Sequence, residues 1–158
     1  AGDITYVWTQ QGWLYLAVLQ DLFSRLVVGW NVERWLTGEL TVKALVSACH
    51  LCQPSPGCLH HSDQGSQYAA REYVEILDKY GFRRSMSRKG DCYDNAVTES
   101  FFATLKLELF EGRSLMRREE TIRELKDYIE MFYNSERLHS YEGYLCPNDY
   151  EKLELTLV

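Results

Sequence analysis

Three acids stand out in this sequence by their surroundings. Glu99 lies in "GDCYDNAVTESFFATLKLE" (90–108), Asp63 ends "CLHHSD" (58–63), and Asp3 opens "DITYVWT" (3–9), a stretch otherwise suited to a buried strand. An acid within an apolar strand is costly unless it is paired or bound to metal. Carboxylates brought together from separate elements repel one another and raise each other's pKa, whereas divalent cations remove that penalty and prefer hard oxygen ligands. Such a set points to two-metal phosphodiester cleavage or transfer. Helix capping competes for part of this stretch. Asp94 and Asn95, just before an apolar run, suit free backbone N–H groups and the positive end of a helix dipole, and Asp91 reads as a loop or cap residue. Capping does not account for Glu99.

The elements that must position these acids follow from pattern. A helix starting at Asp94 or Asn95 puts Val97, Phe101, Phe102, Leu105 and Leu109 on an arc of about 140°, a core-facing stripe. Glu99 falls off that stripe, and Lys106, seven residues on, returns to within about 20° of its direction and about 10 Å further along the axis. Glu108 falls inside the apolar arc without an explanation at this level. Residues 3–9 and 13–21, separated by "QQG", read as a hairpin, and 25–33 adds a third antiparallel strand. A helix over 39–52, a short strand at 58–63, a helix near 68–80 and a strand near 82–87 come next. A helix over 119–133, with Ile122, Leu125, Ile129 and Phe132 on one stripe, closes the order. Strands and helices alternate as in α/β proteins, and 158 residues with 46% apolar types suit one domain.

The net charge of −6 argues against a surface that coats nucleic acid. Acids gathered on metal ions, however, make contact with phosphate through those ions. Charge therefore leaves open a protein without a nucleic-acid role and a metal-dependent phosphoryl-transfer core. No apolar run approaches the roughly 20 residues needed to cross a bilayer, and the amino end lacks the order of a signal peptide, so a soluble intracellular protein is expected. The five cysteines, an odd number, read as reduced thiols.

Resemblance narrows these alternatives. "DITY", "HHSDQGSQY", "SMSRKGDCYDNAVTESFFATLK" and "YNSERLHSYEGYLCPNDYE" resemble, in order and over residues 2–151, the catalytic core of bacterial insertion-sequence transposases. The group in question encodes its enzyme in two overlapping reading frames, and the more distant resemblance is to retroviral integrases. The family's signature is two aspartates and a glutamate with 35 residues between the second and third, and 35 residues separate Asp63 from Glu99. The resemblance implies a ribonuclease-H-like α/β fold, a five-stranded mixed sheet flanked by helices. It implies Asp3, Asp63 and Glu99 as catalytic, metal-binding residues holding two Mg²⁺ or Mn²⁺ ions. It also implies Lys106 as a contact to the end of the element's DNA.

The activity implied is nicking at the 3′ end by hydrolysis and transfer of the 3′-OH to another phosphodiester. Element ends and target DNA would be the partners, with a homo-oligomer in the active complex, no membrane, and a cytoplasmic, nucleoid-associated location. The family's upstream helix-turn-helix recognition part is expected to lie outside this chain. Gln64 stands where relatives often carry Arg. A structure-selective nuclease of the same fold and an inactive domesticated binding or assembly module are the alternatives.

Other residues carry two readings each. Arg88 and Lys89, with Arg83 and Arg84, form a basic cluster before Glu99, either solvated loop or phosphate contact. His61, Asp94 and Asn95 are candidates to support the acids, and His60 or His61 to orient Asp63. Cys49, His50, Cys52, Cys58, His60 and His61 invite zinc, but their spacing is irregular and free Cys often behaves as a buried hydrophobe. Asp21 reads as a turn former. Arg137, His139 and Tyr144 either bind DNA or dock the last helix.

Overall fold

The computed structural model describes residues 1–86 and 96–156, without the side chains of residues 154 and 155. Strands β1 (Gly2–Thr9), β2 (Gly12–Gln20) and β3 (Val27–Glu33) form an antiparallel meander. Gly12, at φ +96°, takes the left-handed turn conformation between the first two, as "QQG" led one to expect. Helix α1 (Gly38–Cys52), β4 (Leu59–Ser62), α2 (Arg71–Lys79), β5 (Arg83–Met86), α3 (Ala96–Phe110), α4 (Arg118–Asp127) and α5 (Pro147–Thr156) complete the order. The sheet runs β3-β2-β1-β4-β5, with β4 parallel to both β1 and β5. This is the five-stranded mixed sheet expected.

Alternation along β2 builds two layers. Leu16 and Val18 face a core of Phe101, Phe102 and Leu105 from α3, Leu125 from α4 and Ile129 just beyond it. Ala17 and Leu19 face Leu40, Leu45, Tyr73 and Leu77 from α1 and α2. At Gly29 a Cβ would lie 2.4 Å from the Ala44 carbonyl oxygen, so the missing side chain is what lets α1 lie against β3.

Two local expectations shift. The helix near 68–80 begins at Arg71, and Tyr68 packs ahead of it. The predicted helix over 119–133 is α4 followed by a π-helical segment, Tyr128–Tyr133. Its wider turn carries Tyr133 into the core and leaves Phe132 40% exposed. There the Tyr133 hydroxyl accepts a hydrogen bond from Gln20 Nε2 at 2.9 Å. Ile122 lies on the outer edge of the stripe at 37% exposure.

Candidate active site

Register brings two of the acids together. Gly2 on β1 pairs with Ser62, the last residue of β4, so Asp3 and Asp63 each lie one residue beyond that pair. Asp3 sits opposite Val18 in the β1–β2 ladder. Directly opposed residues of an antiparallel pair share a face, so Asp3 belongs to the layer of α3. Helix α3 then carries Glu99, exposed, in its first turn, next to the fully buried Thr98.

The surroundings of the acids differ. The Asp3 carboxylate is half-buried and accepts the Ile4 N–H at 2.8 Å. Burial pushes its pKa up to about 6; the Ile4 hydrogen bond opposes this, and the charges of Asp63 and Glu99 add to it. Asp63 is exposed at the mouth of β4, where its Oδ1 accepts the Gly65 N–H at 2.8 Å. A Cβ at Gly65 would stand 2.9 Å from that same oxygen, so glycine is what lets the turn close on the acid. Among the described residues, no three His, Cys, Asp or Glu side chains are gathered closely enough to hold a metal ion as they stand. The three acids share one electrostatic field without forming a closed ligand cluster. Their oxygens are nonetheless the donor type that Mg²⁺ and Mn²⁺ prefer, and the unfavourable charge at Asp3 is what a divalent cation offsets.

Sequence reasoning missed Tyr68. It is 4% exposed, and its hydroxyl has no hydrogen-bond partner among the described residues. Burial, Tyr73 and the charges of Asp3 and Asp63 hold the phenol neutral, well above its ordinary pKa. The signal was the last residue of "HHSDQGSQY", which reads as core until its hydroxyl is placed beside two acids. The two histidines of that motif separate. His60 is buried and hydrogen-bonded through Nε2 to the Tyr73 hydroxyl at 3.0 Å, with its pKa lowered by burial to about 3. It belongs to the core. His61 lies on the next position of β4, with Nδ1 3.0 Å from Ser85 Oγ on β5.

Lys106 is exposed on the same edge of α3 as Glu99, with its Nζ 5.0 Å from the ring centroid of Tyr6. Arg88, Lys89, Asp91, Asp94 and Asn95 lie outside the described residues. Asp21 is a turn former: its Oδ1 accepts the N–H groups of Phe23 and Ser24. Arg137 docks the C-terminal part of the chain, pairing with both carboxylate oxygens of Glu108, which also accepts the Tyr128 hydroxyl at 2.6 Å. That pairing explains Glu108 on the apolar face of α3. Cys49, Cys52, Cys58 and Cys146 are free thiols.

Comparison with known proteins places this geometry. Models described as integrase core domain match residues 1–92 and 99–155. The transposase for insertion sequence element IS904 of Lactococcus lactis subsp. lactis is 45% identical over 151 residues, 96% of this chain and 60% of that protein. The transposase InsF for insertion sequence IS3A of Escherichia coli K12 is 43% identical over 155 residues, 98% of this chain and 54% of that protein. An uncharacterized 31 kDa protein of insertion element IS600 from Shigella sonnei is 47% identical, over 92% of this chain and 53% of that protein. The chain thus spans little more than half the length of these relatives. Among solved structures, the HTLV-2 integrase catalytic core domain in complex with magnesium, in its trimeric form, aligns with a TM-score of 0.68. It is 17% identical, and the alignment covers 94% of this chain and 92% of that one. The BIV integrase catalytic core aligns with a TM-score of 0.60 at 18% identity, covering 98% and 95%. These likenesses show the ribonuclease-H-like fold.

Proposed function

Because this chain belongs to the integrase core family, we propose that it is the catalytic core of a DNA transposase, nicking a 3′ end by hydrolysis and transferring the freed 3′-OH to another phosphodiester. The observation that supports this reading is that Asp3 and Asp63 each follow the paired residues Gly2 and Ser62, while the charges of Asp63 and of Glu99 in the first turn of α3 both bear on Asp3. In this reading the three acids are the catalytic residues and hold Mg²⁺ or Mn²⁺, two ions in the active complex. The ions supply Lewis-acid activation of the attacking oxygen and charge neutralisation at the leaving one.

The chain's own residues have distinct tasks. Asp3, rigid in the sheet and held by the Ile4 N–H, provides the fixed oxygen ligand. Asp63, oriented by its turn with Gly65, and Glu99, on a helix, close from the other sides. Tyr68 keeps a buried, neutral hydroxyl within reach of the charges of Asp3 and Asp63, a donor free to serve a bound group without adding charge. Lys106 contacts a DNA phosphate near Glu99, and Arg88 and Lys89 supply further phosphate contacts. His61, Asp94 and Asn95 support the acids. Recognition of element ends is assigned to a part of the protein outside these residues, in keeping with a charge of −6. The active complex is a homo-oligomer on DNA. Among the described residues no helix is long and apolar enough to cross a membrane, and the proposed location is the cytoplasm, at the nucleoid.

Calorimetry with Mn²⁺ tests the site directly. The 158-residue chain is expected to bind Mn²⁺ weakly, because no substrate phosphate completes the coordination shell. Asp63→Asn or Glu99→Gln is expected to remove the binding while leaving the melting temperature without metal at or above that of the parent. Binding unchanged in both variants would refute the three-acid site.

A further inference from the structure

The β1–β2 hairpin carries a second surface that the carboxylates leave unused. Cross-strand pairs Tyr6–Tyr15 and Trp8–Trp13 lie on the sheet face that holds Ile4 and Ala17. The core that covers this face around Ala17 and Leu19 is built by α1 and α2. Tyr6, Trp8 and Trp13, toward the turn, are 55%, 48% and 43% exposed. They line a groove of about 340 Å³ with Lys106, Phe110 and Arg113.

The rings meet edge to face, Tyr6–Trp13 at 4.9 Å and 84° and Trp8–Trp13 at 4.4 Å and 66°. Each edge-to-face contact covers a face of one ring only and leaves the faces of the ring that contributes its edge free of that partner. The platform is also held in place. Gln10 N–H donates to the Met116 carbonyl at 2.9 Å, and Arg118 N–H donates to Gln11 Oε1 at 2.8 Å, tying the turn to the segment before α4.

We propose that this groove is a stacking site for unpaired bases of a DNA strand, with Lys106 on the phosphate beside them. The proposal rests on the reading of this chain as a DNA-processing core. Charge decides the occupant. Lys106 makes no ion pair among the described residues, although the chain is acidic overall, and its ammonium stands over the Tyr6 face at one side of a mainly apolar groove whose other cation, Arg113, is paired with Glu124. An apolar peptide segment has no use for that cation, whereas a strand of DNA brings a phosphate with every base. Lys106 also lies two helical turns beyond Glu99 along one edge of α3. Lys106 thus joins the edge of α3 that carries Glu99 to the groove.

Tryptophan fluorescence titration of the 158-residue chain with an oligothymidine of about ten residues, and with an abasic strand of equal length, tests this at low salt. The parent chain is expected to bind the thymidine strand about tenfold more tightly than the abasic one, the scale of one to two stacked bases. Trp8→Ala with Trp13→Ala, followed by fluorescence anisotropy of labelled strands, is expected to bind both strands alike. Trp8→Phe with Trp13→Phe is expected to keep most of the difference, which separates loss of stacking from loss of fold. Lys106→Ala is expected to weaken both strands equally and to lower the salt slope by about 0.7.

Equal affinity of the parent chain for both strands, or no binding of either at about 20 mM salt, overturns the proposal. So does a base preference that survives in the alanine pair. Self-association in sedimentation that disappears in the alanine pair, with no base preference, assigns the face to a second copy and also overturns it. Loss of Mn²⁺ binding specificity with base preference intact would instead strike the three-acid site and leave the groove standing.

Discussion

Helix α3 carries a glutamate near each end, and the two have opposite surroundings. Glu108 receives Arg137 on both carboxylate oxygens and the Tyr128 hydroxyl on one. Burial alone would raise its pKa, yet these partners bring it below the ordinary glutamate value. At the other end, Glu99 and Asp63 add their negative charge to the burial of Asp3, and no ion pair among the described residues relieves any of the three. An acid whose charge the protein itself satisfies is part of the scaffold. An acid left facing other acids is suited to a cation from outside.

The sharpest way to break this comparison is to neutralise each glutamate in turn. Glu99→Gln in the full-length enzyme keeps size and one oxygen but removes charge, and is expected to lower both nicking and joining by at least about a hundredfold, since metal-borne charge stabilisation is worth several kcal/mol. Glu108→Gln is expected to leave the rate of both steps within about threefold and to lower the melting temperature instead. Nicking and joining assays on a pre-cut end read both variants. Activity near the parental level in Glu99→Gln would overturn the assignment of roles.

The second test uses pH without metal. Asp3 has a folded pKa of about 6 against 3.8 in the unfolded chain, so the folded state holds its proton more tightly. Its contribution is present at low pH and is lost as pH rises from about 4 through about 6. Asp3→Asn is expected to remove that loss and to stabilise the chain at neutral pH by on the order of 2 kcal/mol. Urea denaturation at pH 4.5 and 7.5 measures it. Glu108 has the opposite sign: its depressed pKa contributes stability present above the unfolded value of 4.5 and lost as pH falls through the lower folded value. A parental pH profile with neither slope altered in Asp3→Asn would mean that Asp3 is better solvated than its place in the sheet implies.

The smallest effect expected is at the scaffold pair itself. Arg137→Ala strips Glu108 of its cation, at a cost of about 1–2 kcal/mol for partly exposed charged hydrogen bonds, and is expected to leave Mn²⁺ binding by the acids unchanged. Thermal melting and calorimetry on the same variant check both halves. A drop in Mn²⁺ affinity would mean that the two ends of α3 are coupled.

Much of this molecule was legible in its residues, because short-range periodicity and turn chemistry act within a few positions. The hairpin turn at Gly12, the Asp21 turn and the stripe of Phe101, Phe102, Leu105 and Leu109, with Val97 only partly buried at its start, follow from local geometry, and each is found. The separation of Asp63 from Glu99 is a count along the chain, and its meaning came from the resemblance to the transposase family. What only tertiary structure decided concerns residues whose partners lie far along the chain. Glu108 is neutralised by Arg137 from beyond α4, and His60 is satisfied by Tyr73 from the following helix. Tyr133 displaces Phe132 because Gln20, more than a hundred residues earlier, offers it a hydrogen bond. Asp3 and Asp63 meet because Gly2 pairs with Ser62. Side-chain periodicity states which face a residue occupies, but strand order and long-range register decide what lies across from it, and a charge takes its chemical character from what it faces.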